Sequence, residues 1–189
     1  MKNNVILIGY MGCGKSTVGK ELAQMCQFTF LDTDAWIEKR EGITISEIFA
    51  AKGEAYFRDL ETQCLKELLE ENRNGKIREG MKGASTVQES YEKNKGLVIS
   101  VGGGLPVREE NQLLLRQLGN VVYLKAEPDT IYERLKGDAT RPLLQTENPL
   151  QKIRDMMEER EVKYQAAAHR VVSVDGKSIS EIMSEILNA

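Results

Sequence analysis

Residues 9–16 read Gly9-Tyr10-Met11-Gly12-Cys13-Gly14-Lys15-Ser16, with Thr17 next. The run matches G-x-x-x-x-G-K-[ST], and its flanks are the ones that pattern requires. Four apolar residues, Val5–Ile8, precede it and predict a buried strand; a helical pattern over Lys15–Cys26 follows, with Val18, Leu22 and Met25 on one stripe. A strand that turns on glycines into a helix N-terminus is a strong constraint. The glycines let consecutive backbone N–H groups curl inward around an anion, and the helix end adds positive potential at the same point. Gly12, Cys13, Gly14, Lys15, Ser16 and Thr17 are therefore the candidate phosphate binders. Lys15 is expected at the β- and γ-phosphates of a nucleotide, and Ser16 at Mg²⁺.

The same alternation of strand and helix continues along the chain. Short runs over 28–31, 97–101, 121–124 and 171–174 are apolar and rich in β-branched residues, so each predicts a buried strand. Helical spacing marks 54–71, Glu109–Leu118 and 180–187, and Pro128 and Pro149 fit the first turns of two more helices. Gly119 is expected as a C′ glycine closing the helix before it. Strands separated by helices of this length predict right-handed crossovers and a parallel sheet covered on both faces. The expected fold is α/β: a P-loop NTPase-like three-layer α/β/α domain with a five-stranded parallel sheet, spanning 1–189.

Composition narrows the function classes. The chain has 189 residues, 41% of them hydrophobic and 29% charged, which suits a globular domain with a sizeable core. A net charge of −3 argues against a nucleic-acid partner, which normally faces a basic surface. No apolar run is long enough to span a bilayer or to act as a secretory segment, so no membrane partner is expected. Cys13, Cys26 and Cys64 are odd in number and lack C-x-x-C spacing, and with the single His169 they form no recognisable zinc set. Free thiols fit a cytoplasmic protein. A monomer is expected.

The remaining polar motifs ask which phosphate acceptor is served. A guanine reader of the N-K-x-D type is missing, since Asn94-Lys95-Gly96-Leu97 lacks the aspartate. The strand at 97–101 runs into Gly102-Gly103-Gly104 with no acid behind it. Asp32-Thr33-Asp34, at the end of the second strand, is the nearest source of carboxylates, because carboxyl ends of neighbouring strands face one crevice. One aspartate could serve the metal and the other accept a hydroxyl proton; an ordinary helix N-cap is the plainer reading, and the two are compatible. Arg58 and Glu61 are three apart and share a helix face, either as a surface ion pair or as a guanidinium aimed at a substrate carboxylate. The glycine triplet is either a tight turn or a bare backbone wall against a ligand.

Taken in order, Gly-x-x-Gly-x-Gly-Lys-Ser-Thr, Leu-Asp-Thr-Asp, Phe-Arg-x-x-Glu, Gly-Gly-Gly, Arg-Pro-Leu-Leu and Arg-x-x-x-Tyr cover residues 9–164 and resemble the shikimate kinase family. The resemblance implies ATP- and Mg²⁺-dependent phosphorylation of the 3-hydroxyl of shikimate, with shikimate as the small-molecule partner. It implies that Gly12 to Thr17 hold the ATP phosphates, that Ser16 and Asp32 serve the metal, and that Asp34 binds the substrate hydroxyls and is the base. Arg58 and Arg160 would clamp the carboxylate, supported by Glu61, and Gly102, Gly103 and Gly104 would line the ring. Arg141 would close from a lid over 137–148 and share charge stabilisation with Lys15, while Arg134 would stack on adenine. Residues 33–61 form the implied substrate-binding segment.

The chain departs from the family in two places. Residues 72–96 make a longer connection than the family usually has, read as a tolerated loop. After Val174 no arginine stands where some members place one near adenine. Gluconate kinase is the alternative within the same chemistry, and a nucleotide-binding regulatory module without turnover is the alternative outside it.

Overall fold

Among the described residues five strands assemble into one parallel sheet in the order β2-β3-β1-β4-β5; the three central strands are buried almost throughout and the two edge strands only in part. They are β1 (Val5–Ile8), β2 (Thr29–Asp32), β3 (Leu97–Ser100), β4 (Asn120–Lys125) and β5 (Arg170–Ser173). The computed structural model describes residues 4–74, 96–136 and 146–188. Among the described residues seven helices accompany the strands: α1 (Lys15–Cys26), α2 (Thr33–Glu41), α3 (Ile45–Asn74), α4 (Glu109–Leu118), α5 (Pro128–Leu135), α6 (Pro149–Ala167) and α7 (Ile179–Leu187). Ile6, Leu7, Ile8, Val98, Ile99, Val121, Val122 and Leu124 are fully buried. Such continuous apolar runs are what a parallel sheet covered on both faces demands. Helices α1 and α7 pack together, while α3, α4 and α6 form a second connected layer.

Strand β1 lies at the centre, paired with β3 on one side (Ile6 with Ile99) and β4 on the other (Ile6 with Val121). From β1 the chain crosses to the edge strand β2 and returns to place β3 between them, then continues through β4 and β5 on the other side of β1. The crevice at the carboxyl end of β1 is the position where doubly wound folds bind ligands. At the opposite rim, Asn4 is buried; its Nδ2 donates to Leu118 O at 2.9 Å and its Oδ1 accepts from Leu97 N at 3.0 Å.

Several sequence expectations change. Gly119 does follow α4, but its φ of 167° is extended rather than left-handed. Glycine is required there by proximity, because a Cβ would lie 2.3 Å from the Asn4 carbonyl oxygen. The helix expected over 54–71 does begin there: α3 is two helical segments joined at Gly53, whose φ of 80° and ψ of 172° suit glycine alone, and the segment from Ile45 to Gly53 is the part not expected. Helix α2 and a 3₁₀ turn over Leu105–Val107 were not marked by periodicity. The stretch 75–95 and most of the expected lid, 137–145, lie outside the described residues.

Candidate active site

The loop between β1 and α1 has the backbone its glycines allow. Gly9, Gly12 and Gly14 take φ values of 144°, 78° and 99°, conformations that side-chain-bearing residues rarely adopt. Gly14 is the N-cap of α1 and has no side chain to block the free N–H groups of the first turn. Cys13 is buried behind the loop, and its N–H donates to Tyr10 O. Lys15 Nζ curls back over the loop, donating to Gly9 O at 2.9 Å and Tyr10 O at 3.0 Å. Its charge thus stands over the cradle. Ser16 and Thr17 are exposed on the first turn of α1.

Ser16 Oγ donates to Asp32 Oδ2 at 2.9 Å and lies 3.3 Å from Ser100 Oγ at the end of β3. Asp32 is at once the N-cap of α2, with Oδ1 accepting from Asp34 N and Ala35 N. The N-cap reading of this aspartate thus holds through Oδ1, and its Oδ2 is turned to Ser16. Ser100 was missed in the sequence, where a serine inside an apolar strand carries no spacing signal. The described residues contain no cluster of three His, Cys, Asp or Glu side chains able to cage a metal. Two hydroxyls and one carboxylate beside a phosphate cradle fit Mg²⁺, which keeps waters and phosphate oxygens as ligands and takes few from protein.

On the acceptor side, the glycine triplet is a wall against which three charged side chains rest. A Cβ on Gly102 would lie 2.5 Å from Asp34 Oδ1 and 3.0 Å from Glu61 Oε1; one on Gly104 would lie 2.2 Å from Arg58 Nη1. None of the three glycines has a positive φ, so space and not backbone freedom dictates the residue type. Gly102 N is tied to Thr33 Oγ1 at 3.1 Å, which joins the wall to the start of α2. Arg58 Nη1 donates to Glu61 Oε2 at 2.8 Å, while its Nη2 and Nε reach Glu54 Oε1 at 2.8 and 3.1 Å. Glu61 is fully buried, so this is no surface ion pair.

Asp34 Oδ1 and Glu61 Oε1 are buried without a hydrogen-bond partner. Burial, then the charge of Asp32, pushes the Asp34 carboxyl up to about 6, against the pull of Lys15 and Arg58. Burial also pushes Glu61 up to about 7 despite Arg58 beside it. Desolvation raises a carboxyl's proton affinity in this way, and two carboxyls tuned toward neutrality in one cleft mark a proton-handling site.

Arg160, on α6, stands over the Tyr10 ring with Cζ 5.8 Å from its centroid. Arg134, on α5, donates from Nη1 to Gly12 O at 3.1 Å, beside the cradle. The structure thus gathers Asp32, Asp34, Arg58, Glu61, Gly102, Gly103, Gly104, Arg134 and Arg160 around the β1–α1 loop. Arg141 falls outside the described residues.

A phosphate loop at the centre of a 2-3-1-4-5 sheet, facing buried carboxylates and arginines, defines an ATP-dependent P-loop kinase. Family and relatives agree. The shikimate kinase family model matches residues 11–78 and 82–189, and the chain belongs to the shikimate kinase family. The shikimate kinase of Persephonella marina is 40% identical over 184 residues, covering 97% of this chain and 96% of that protein. The structure of the Acinetobacter baumannii shikimate kinase in complex with shikimate superposes with a TM-score of 0.81 at 35% identity, over 100% of this chain and 92% of that one. A gluconokinase from Sinorhizobium meliloti, 20% identical with a TM-score of 0.53 over 98% of this chain and 90% of its own, shares the fold.

Proposed function

We propose that this chain transfers the γ-phosphoryl group of ATP to the 3-hydroxyl of shikimate, giving 3-phosphoshikimate and ADP. The observation that carries this reading is the convergence of Asp34, Glu61 and Arg58 on the glycine triplet, one strand away from the phosphate cradle. Asp34 takes the proton of the attacking hydroxyl as its oxygen bonds to phosphorus. The bond from phosphorus to the β–γ bridging oxygen breaks, and its electrons leave with ADP. A base poised near neutrality is suited to that transfer. Little covalent chemistry is otherwise asked of the protein, so position and charge do the rest.

Arg58 and Arg160 hold the acceptor carboxylate, Arg58 aimed by Glu54 and Glu61. The N–H groups of Gly12 to Thr17 bind the phosphates, and Arg134 lies on the adenine side of the cradle. Lys15, with Arg141 from the lid, neutralises charge that spreads over the transferred group. Ser16, with Asp32 behind it, would hold Mg²⁺, which would supply further positive charge to the phosphates. The enzyme acts as a monomer in the cytoplasm; three unpaired cysteines suit that compartment.

The test is ADP release from Mg²⁺-ATP with shikimate, with gluconate and with no acceptor. Stimulation by shikimate alone is expected. Stimulation by gluconate alone would keep the chemistry and overturn the acceptor, and no stimulation by either would overturn turnover itself.

A further inference from the structure

Tyr164 lies one helical turn after Arg160 on α6, and residues four apart share a helix face. Its ring is buried, only 1% exposed, and packs on Tyr123 with centroids 5.1 Å apart. Its hydroxyl donates to the Gly103 carbonyl at 2.6 Å. Arg160, on the same face of the helix, is near enough for its charge to act on that phenol. Gly103 in turn presses on the phosphate loop: a Cβ there would stand 3.3 Å from Gly9 O and 3.5 Å from Met11 N. One phenol therefore bonds to the middle of the glycine wall and lies one helical turn from the arginine.

We propose that Tyr164 is a positioning residue for the acceptor: its single hydroxyl fixes the Gly103 carbonyl and the Arg160 guanidinium relative to each other. The inference rests on the function proposed above. The proton of the hydroxyl goes to Gly103 O, which leaves the oxygen lone pairs to accept from Arg160. Hydrogen bonds linked this way polarise one another. The guanidinium is then held at a set distance from the glycine wall, and a planar carboxylate meets it in one orientation. Neighbouring contacts keep the ring itself from swinging. Tyr123 Oη donates to Glu161 Oε2 at 2.7 Å, and Lys125 Nζ reaches Glu161 Oε1 at 2.7 Å, so the helix turn that carries Arg160 is pinned to β4.

Tyr164→Phe removes the hydroxyl and keeps the ring. The expected result is a rise of about tenfold in the KM for shikimate, the size of effect one lost buried hydrogen bond produces, with the KM for ATP within about twofold of wild type. Calorimetric titration of shikimate alone should show the same weakening. In an Arg160→Lys background, the same substitution should add less than about twofold, because contacting residues couple in a double-mutant cycle. An unchanged shikimate KM, equal losses for both substrates, or fully additive effects in the cycle would each overturn the proposal. So would a Tyr164→Phe chain too unstable to assay, which would assign the hydroxyl to the fold instead. Wild-type protein that releases no ADP with shikimate would sink the function proposed above, an outcome distinct from all of these.

Discussion

Asp34 and Glu61 reach the same bare face of Gly102 from two different helices, with Oδ1 2.5 Å and Oε1 3.0 Å from where a Cβ would stand. Each of these oxygens is buried and unpartnered. A polar atom left so is costly, and on the function proposed here the cost falls where a hydroxyl proton is accepted.

Replacing Asp34 should separate catalysis from stability. Asp34→Asn is expected to lower kcat by about 10²–10⁴, the range of general-base contributions, while ATP affinity measured by titration stays near wild type. Near-normal turnover would remove Asp34 from the role of base. The native carboxyl has a raised pKa, so the folded state binds the proton more tightly than the unfolded one. Stability is then lost as pH rises from about 4 to about 6, and the loss persists above that. The asparagine avoids it. Its melting temperature should exceed that of wild type by several degrees at pH 8, and the gap should close near pH 4; a gap independent of pH would contradict the sign.

The same carboxyl sets an acid limb on the rate. As pH falls below about 6, the base becomes protonated, and kcat/KM for shikimate should decline toward tenfold per pH unit. A profile flat down to pH 5 would mean that Asp34 is not the group taking the proton.

The outer glycines of the triplet should fail in different ways. Gly102→Ala pushes on Asp34 and Glu61, so it should lower kcat by tenfold or more, on the order of a misplaced base. Gly104→Ala pushes on Arg58 and should chiefly raise the KM for shikimate. Steady-state kinetics of both variants decide the matter; identical effects would argue that the wall acts as one rigid block.

Asn4 offers a control far from the chemistry. Asn4→Ala strips two buried hydrogen bonds, leaving Leu118 O and Leu97 N without their partner. The expected cost is about 2–4 kcal/mol in urea unfolding, with KM values unchanged. A loss below 1 kcal/mol would show that other groups compensate at this rim.

The phosphate loop and the five strands were legible because each is written locally, in glycine spacing or in a continuous apolar run. Pro128 and Pro149 likewise open α5 and α6, as their missing N–H groups predict. What the sequence hid depends on contacts between distant segments. Ser100 matters only because β3 lies beside the loop, where its hydroxyl meets Ser16. Gly119 looked like a left-handed cap, yet is glycine because the Asn4 backbone crosses over it. Helix α2 was hidden by its polar face, with only Thr33 and Ile37 buried. The burial of Glu61 could not be read from an i, i+3 pair, which on most helices faces water.

Arg58 is bonded to two carboxylates, of which Glu61 is fully buried and Glu54 is 68% exposed. On the function proposed here, an acceptor carboxylate arriving at Arg58 displaces Glu54, the exposed and loosely held one of its two partners. Salt screens an exposed pair more than a buried one, so the Glu54 pair is the weaker of the two that the incoming group must meet. Selectivity at this position then comes from the fork-like fit of the guanidinium to a planar carboxylate.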